Sequence, residues 1–348
     1  MEHKLRNRLI LAGKLVVAAV LLAWLVSKVH LHDYQIDGKT APGLLTIGGN
    51  INWVLLALGA IGFTLSLLVI SIRWWMLLRI QRIRIPAWEA VRLTFLGQFF
   101  NTVAPGVIGG DFVKAYYVAK HTPKKAAVLL SIFVDRVMGL AELVLLAAAM
   151  VGVVLVGGLA AFDDIRDAVV VAGVVTAGLV FILVFLLNRR FRKALHLQKL
   201  YRRLPIAHHI EQAGTAADLY RKRYRVLIEA LLITFGAHAF FVGAIAMIGA
   251  SLQLAIPWHE YLLYVPLIYI IAAVPITPGG VGLMEAAFVK FFAAPPAVGV
   301  SEVFAMALLA RLVPAICGLP GAIVAIRGPK IPKAEKLEAE LGLGNGGR

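Results

Sequence analysis

Ionisable side chains recur inside apolar sequence in this chain: Asp111, Asp135, Arg136, Glu142, Glu285, Lys290 and Arg311 all stand among Leu, Val, Ala and Phe. Each costs about 2.5–3.5 kcal/mol to place at the centre of a bilayer, so such groups are retained for binding, proton transfer or ion pairing. Two of the acids share a preface. Pro105-Gly106-Val107-Ile108-Gly109-Gly110 leads into Asp111, and Pro278-Gly279-Gly280-Val281-Gly282 leads into Glu285. An arginine follows each in the next apolar stretch, Arg136 at 25 residues after Asp111 and Arg311 at 26 after Glu285. Arginine beside a helix start with free backbone N–H groups suits a phosphate or carboxylate. Gly109, Gly110, Gly279, Gly280 and Gly282 would let a headgroup approach the backbone closely. Asp111 and Glu285 would balance the arginines or exchange protons. A purely structural account of the same residues has the acids capping broken helices and the arginines locking them to the next span.

Asp135 and Arg136 are neighbours on one helix and point apart, so each needs a partner on another element. Asp135 and Glu142 share a helix face and are candidates for coupling or gating, as are Lys114 and Lys290, which each follow a glycine motif. The two lysines could equally snorkel to the interface. His238 reads as a buried, hydrogen-bonded histidine, and His196, His208 and His209 as surface residues. The single cysteine, Cys317, reads as a small core residue. No Walker loop, nucleophile elbow, zinc-helix motif or dinucleotide fingerprint is present, so no cofactor, metal or ATP hydrolysis is expected.

The elements that must position these residues are membrane helices. The chain has 348 residues, 60% hydrophobic and 16% charged, and several apolar runs exceed the roughly 20 residues that cross a hydrocarbon core. Its net charge of +16 would suggest nucleic acid in a soluble protein, but the basic residues here flank apolar runs, and no nucleic-acid partner is expected. Six stretches read as full spans: 9–29, 51–72, 126–157, 167–188, 226–250 and 302–326. Two more, 89–118 and 261–293, are interrupted by the Pro-Gly motifs and read as re-entrant helical hairpins. The expected fold is an all-α polytopic membrane protein with one transmembrane domain over 1–326, a basic link at 189–225 and a polar tail at 327–348.

Charge sets the orientation. Lys4, Arg6 and Arg8, the group Arg73, Arg79, Arg82 and Arg84, the lysines 120, 124 and 125, the link with its eleven Lys and Arg, and the tail all fall on one side, read as cytoplasmic. The link carrying Asp163, Asp164 and Asp167, and the ends marked by Glu260 and Glu302, fall on the other. The two hairpins then enter from opposite faces, an inverted-topology repeat of the kind used for alternating access. Trp53, Trp74, Trp75, Trp88 and Trp258 stand near span ends as expected interfacial anchors.

Three segments together resemble a known family: Phe99-Phe100-Asn101-Thr102-Val103-Ala104-Pro105 through Asp111, Asp135-Arg136-Val137-Met138-Gly139-Leu140, and Pro278 through Glu285. They look like the flippase-like family, the transmembrane region of lysylphosphatidylglycerol synthases, which includes the membrane half of the multiple peptide resistance factor. The resemblance covers about residues 10–326. It implies movement of a lipid between leaflets. The synthases carry a soluble aminoacyl-transfer domain after this region. Only about 22 polar residues follow the last apolar stretch here, so the chain is not expected to be an enzyme. Relatives often have arginine where this chain has Lys114, which weakens bidentate phosphate binding at that position.

The expected function is a lipid translocase of the plasma membrane with both termini cytoplasmic. An anionic or phosphate-bearing headgroup would enter a polar cavity between the hairpins, held by Arg136, Arg311 and the glycine turns. Asp111, Asp135 and Glu285 would balance those cations. Two other readings fit the same residues: a non-transporting lipid-binding subunit that partners a separate glycosyl- or aminoacyl-transferase, and a small-solute or ion transporter.

Overall fold

In the computed structural model the described residues are 2–36, 39–103, 109–159, 162–187, 219–220, 222–274, 276–293 and 298–327, with side chains from residue 12 onward and excluding those of 36, 39–41, 103, 163, 164 and 181–187. The first part of the first glycine motif (105–108), most of the basic link and the tail beyond 327 lie outside them.

The described residues are helical almost throughout, as lipid requires: a backbone that cannot bond to water must bond to itself. In order the helices are α1 (Glu2–Val26), α2 (Leu44–Gly49), α3 (Trp53–Ile80), α4 (Ala87–Val103), α5 (Gly110–Ala119), α6 (Lys125–Val156) and α7 (Phe162–Leu187), then α8 (Tyr224–Ser251), α9 (Trp258–Ala273), α10 (Leu283–Phe292), α11 (Val300–Gly318) and α12 (Pro320–Arg327). A small antiparallel hairpin of β1 (Tyr34–Ile36) and β2 (Lys39–Ala41) precedes α2. Beside it the Asp33 carboxylate accepts the Gly43 N–H at 2.8 Å, which holds its pKa below the ordinary value. Among the described residues α3, α6, α8 and the α11–α12 run are long and apolar enough to cross a membrane. Helices α1 and α7 occupy the other two stretches read as spans.

Both interrupted stretches are helix–break–helix. Helices α4 and α5 are 17 and 10 residues long, and α9 and α10 are 16 and 10. Each half falls short of the roughly 20 residues of a full span. Proline sets several boundaries: Pro86 precedes α4, Pro257 caps α9 and Pro320 opens α12, positions where its missing N–H costs nothing.

The chain forms two compact units, each discontinuous in sequence. Unit 1 comprises 1–65, 146–170 and 239–317; unit 2 comprises 66–145, 171–238 and 318–348. Unit 1 packs α9, α10 and α11 around Val265, Ile268, Phe288, Phe292, Val303 and Met306. Unit 2 packs the end of α3 with α4 and α5 around Trp74, Leu78, Leu93, Leu96, Val113 and Val128. One interrupted stretch therefore belongs to each unit.

Two sequence expectations need correction here. Trp53, Trp88 and Trp258 are exposed, as anchors should be, but Trp74 is fully buried in unit 2. Arg73 is likewise buried rather than flanking a span. The reason is the same for both: α3 continues to Ile80, about two turns beyond the predicted end at residue 72.

Contacts inside each unit join helix ends that the charge pattern assigns to one side. In unit 1, Lys290 Nζ meets Asp167 Oδ2 at 2.5 Å, Asn52 N–H donates to Ser251 O at 2.8 Å, and His30 N–H donates to Ser301 Oγ at 3.1 Å. In unit 2, Lys124 Nζ donates to Gln81 O at 3.4 Å and Tyr220 hydroxyl to Leu77 O at 3.2 Å.

Candidate functional site

In unit 2 the second half of the interrupted stretch begins where α4 and α5 cross. Gly97 and Gly110 touch backbone to backbone, and a Cβ on Gly110 would collide with the Gly97 carbonyl. Gly110 N–H donates to Asn101 Oδ1 at 2.7 Å, so an asparagine from α4 takes the first donor of α5. Asp111 follows in the first turn, where a carboxylate complements the helix dipole. Its Oδ2 accepts from Arg136 Nε, and its Oδ1 lies 3.2 Å from Lys114 Nζ. Lys114 does not snorkel. Its side chain is 6% exposed and its ammonium lies 4.7 Å from the centre of the Trp74 ring, a cation–π contact that offsets part of its desolvation. Arg136 differs: it lies about three turns into α6, yet 62% of its side chain is exposed.

Unit 1 repeats the pairing with tighter closure. Gly279, Gly280 and Gly282 all have positive φ, which turns the chain from α9 into α10. The Glu285 carboxylate, buried in the first turn of α10, accepts the Gly282 N–H at 2.7 Å through Oε2 and Arg311 Nε at 2.7 Å through Oε1. Arg311 also donates to Gly279 O at 3.0 Å and Gly280 O at 3.2 Å, and Nη2 lies 3.7 Å from Met284 Sδ. The turn therefore presents carbonyls to a guanidinium, and the first N–H of the half-helix goes to its own glutamate. Nearby, Thr277 Oγ1 and Tyr269 hydroxyl are buried without a hydrogen-bond partner among the described residues.

The family described as "Lysylphosphatidylglycerol synthase TM region" matches residues 11–321, a span that includes both interrupted stretches and both arginines. The chain belongs to that family. No curated protein matches it closely. Membership makes it a multi-pass membrane protein and ties it to a membrane domain of lipid-related function.

The spacing logic for this family member is thus met in space within each unit: Asp111 with Arg136, and Glu285 with Arg311. The remaining residues separate. Asp135 pairs with Arg73, Nε to Oδ1 at 2.7 Å, both side chains buried, and Arg73 Nη1 also donates to Thr234 Oγ1 at 3.3 Å. Glu142 meets His238. Lys290, unlike Lys114, is 65% exposed on its contact with Asp167. Sequence reading missed Arg73, Thr234, Asn101 and Gly97. Arg73 was masked by the basic cluster that follows it, and only Asn101, nine residues before Gly110 in the same motif, stood close enough in sequence to be seen.

Proposed function

We propose that this chain moves a lipid with a phosphate-bearing headgroup between the leaflets of the plasma membrane, without catalysing a covalent reaction. The observation that carries the reading is Arg136. An arginine in the interior of a spanning helix with most of its side chain exposed is costly against acyl chains, but well placed against water or a lipid phosphate, which a guanidinium binds through charge-assisted hydrogen bonds. Asp111 orients it through Nε, so a phosphate would approach the remaining edge of the fork. Lys114, buried behind Asp111, adds positive charge without competing for that edge. Membership of a family named for a lipid synthase's membrane region supports the substrate class.

Arg311 takes a different part. With Glu285, two carbonyls and a thioether around it, it holds the α9–α10 turn in shape. Beside that turn, the buried hydroxyls of Thr277 and of Tyr269 on α9 have no hydrogen-bond partner among the described residues and would be available to a ligand. The alternating-access arrangement and the cytoplasmic termini remain part of the proposal and rest on the charge pattern.

The test is reconstitution in liposomes with fluorescently labelled phosphatidylglycerol and phosphatidylcholine. The expected result is labelled lipid crossing faster than in empty vesicles, slowed about tenfold to a hundredfold by Arg136→Ala, since one charge-assisted hydrogen bond contributes about 1.5–3 kcal/mol. Crossing no faster than in empty vesicles for every headgroup would sink the translocase reading in favour of a lipid-binding partner of a separate transferase.

A further inference from the structure

Unit 2 contains a buried ionisable pair that the headgroup step does not use. Glu142 on α6 has no exposed side-chain surface, and its Oε2 lies 3.3 Å from Nδ1 of His238 on α8. Neither carboxylate oxygen accepts a well-formed hydrogen bond among the described residues. A carboxyl and an imidazole at this distance can share one proton, held on the oxygen or on the nitrogen, where it makes an ion pair.

Along α6, Asp135, Gly139 and Glu142 lie on one face at successive turns. Arg73 from α3 lies over Gly139, where a Cβ would be 3.5 Å from its Nη1. On this face the charged groups beside the pair include Arg73 from α3 and Asp135 from α6, which neutralise each other at 2.7 Å. From α8, Thr234 stands one turn before His238; its hydroxyl donates to Ala230 O and accepts from Arg73. The Arg73–Asp135–Thr234 cluster is satisfied and electrically closed. Beside it lies Glu142, whose carboxylate oxygens accept no well-formed hydrogen bond among the described residues, with His238 Nδ1 at 3.3 Å.

We propose that Glu142 and His238 together form a proton-binding site that couples lipid movement to the proton gradient. The step is a simple transfer. A hydronium ion gives its proton to the pair and leaves as water; one O–H or N–H bond forms, and the reverse step returns the proton on the other side. The location is argued from the seam alone, while the coupling rests on the translocase reading.

The experiment separates the two. Infrared difference spectra of the full chain in nanodiscs are recorded as pH is stepped from about 9 to about 5, the range in which histidine-containing pairs exchange protons. The wild type should show a carboxyl or imidazole protonation signal that Glu142→Gln removes and His238→Gln moves to a different pH. In liposomes, a gradient of about one pH unit should drive about a tenfold asymmetry of labelled lipid for one proton per lipid, abolished in both variants. Identical spectra for wild type and Glu142→Gln overturn the site. If Glu142→Gln does not fold, an unmoved signal in His238→Gln overturns it. Signal present with no lipid crossing leaves the site standing and removes the translocase reading. Crossing that ignores the gradient overturns the coupling.

Discussion

Arg73 and Asp135 are both almost completely buried and bound to each other at 2.7 Å. Taking both charges out of water is costly, and their attraction repays it only while both are present. Removing one leaves the other stranded. Asp135→Ala or Arg73→Ala should therefore destabilise the protein by about 3–5 kcal/mol, read as the loss of melting temperature by tryptophan fluorescence in detergent. Arg73→Met with Asp135→Leu should recover most of that loss, because a well-packed apolar pair of similar volume replaces a buried ion pair at little net cost. Equal damage from the double and single variants would show that the pair does more than neutralise itself. The sequence marked Asp135 as needing a partner on another helix, because a charge that points away from its neighbour cannot be satisfied by it. It could not name the partner. Arg73 precedes Arg79, Arg82 and Arg84, and a basic residue at the head of such a cluster looks like an orientation signal until the helix is seen to continue past it.

At the level of elements, the breaks were legible and the crossings were not. Proline and glycine in apolar sequence announce that a helix stops, and α4 and α9 do stop at the two motifs. Which glycine is there for space rather than for flexibility depends on a second helix, and Gly97 stands 13 residues before Gly110. Two adjacent glycines make the distinction testable. A Cβ on Gly109 would have an ordinary contact with Phe112 at 3.7 Å, whereas a Cβ on Gly110 would run into the Gly97 backbone. Backbone cannot rotate away as a side chain can. Gly110→Ala should thus separate α4 from α5 and cost about 1–3 kcal/mol as overpacking does, while Gly109→Ala should leave the melting temperature nearly unchanged. Substituting Gly110 should also impair any lipid movement, since Asp111 and its hold on Arg136 are placed by that crossing.

At the level of the whole molecule, charge and contact agree at several helix ends. The charge pattern sorted helix ends into two groups, and these contacts within unit 1 and within unit 2 join ends of the same group: Lys290 with Asp167, Lys124 with the carbonyl of Gln81. Nothing in a contact says which group faces the cytoplasm, because packing is indifferent to the side. That part rests on lysine and arginine being retained on the cytoplasmic side. The single cysteine makes it measurable. With Cys317→Ala as background, Asp167→Cys in intact cells should react with a membrane-impermeant maleimide, and Lys124→Cys should react only after permeabilisation. Both residues lie at helix ends beyond the apolar runs, so neither should be hidden in the bilayer. The opposite pattern would place the basic link outside and reverse the direction in which Arg136 first meets a headgroup. Labelling of both positions in intact cells would break the span count itself, and with it the pairing of the two interrupted stretches as inverted copies.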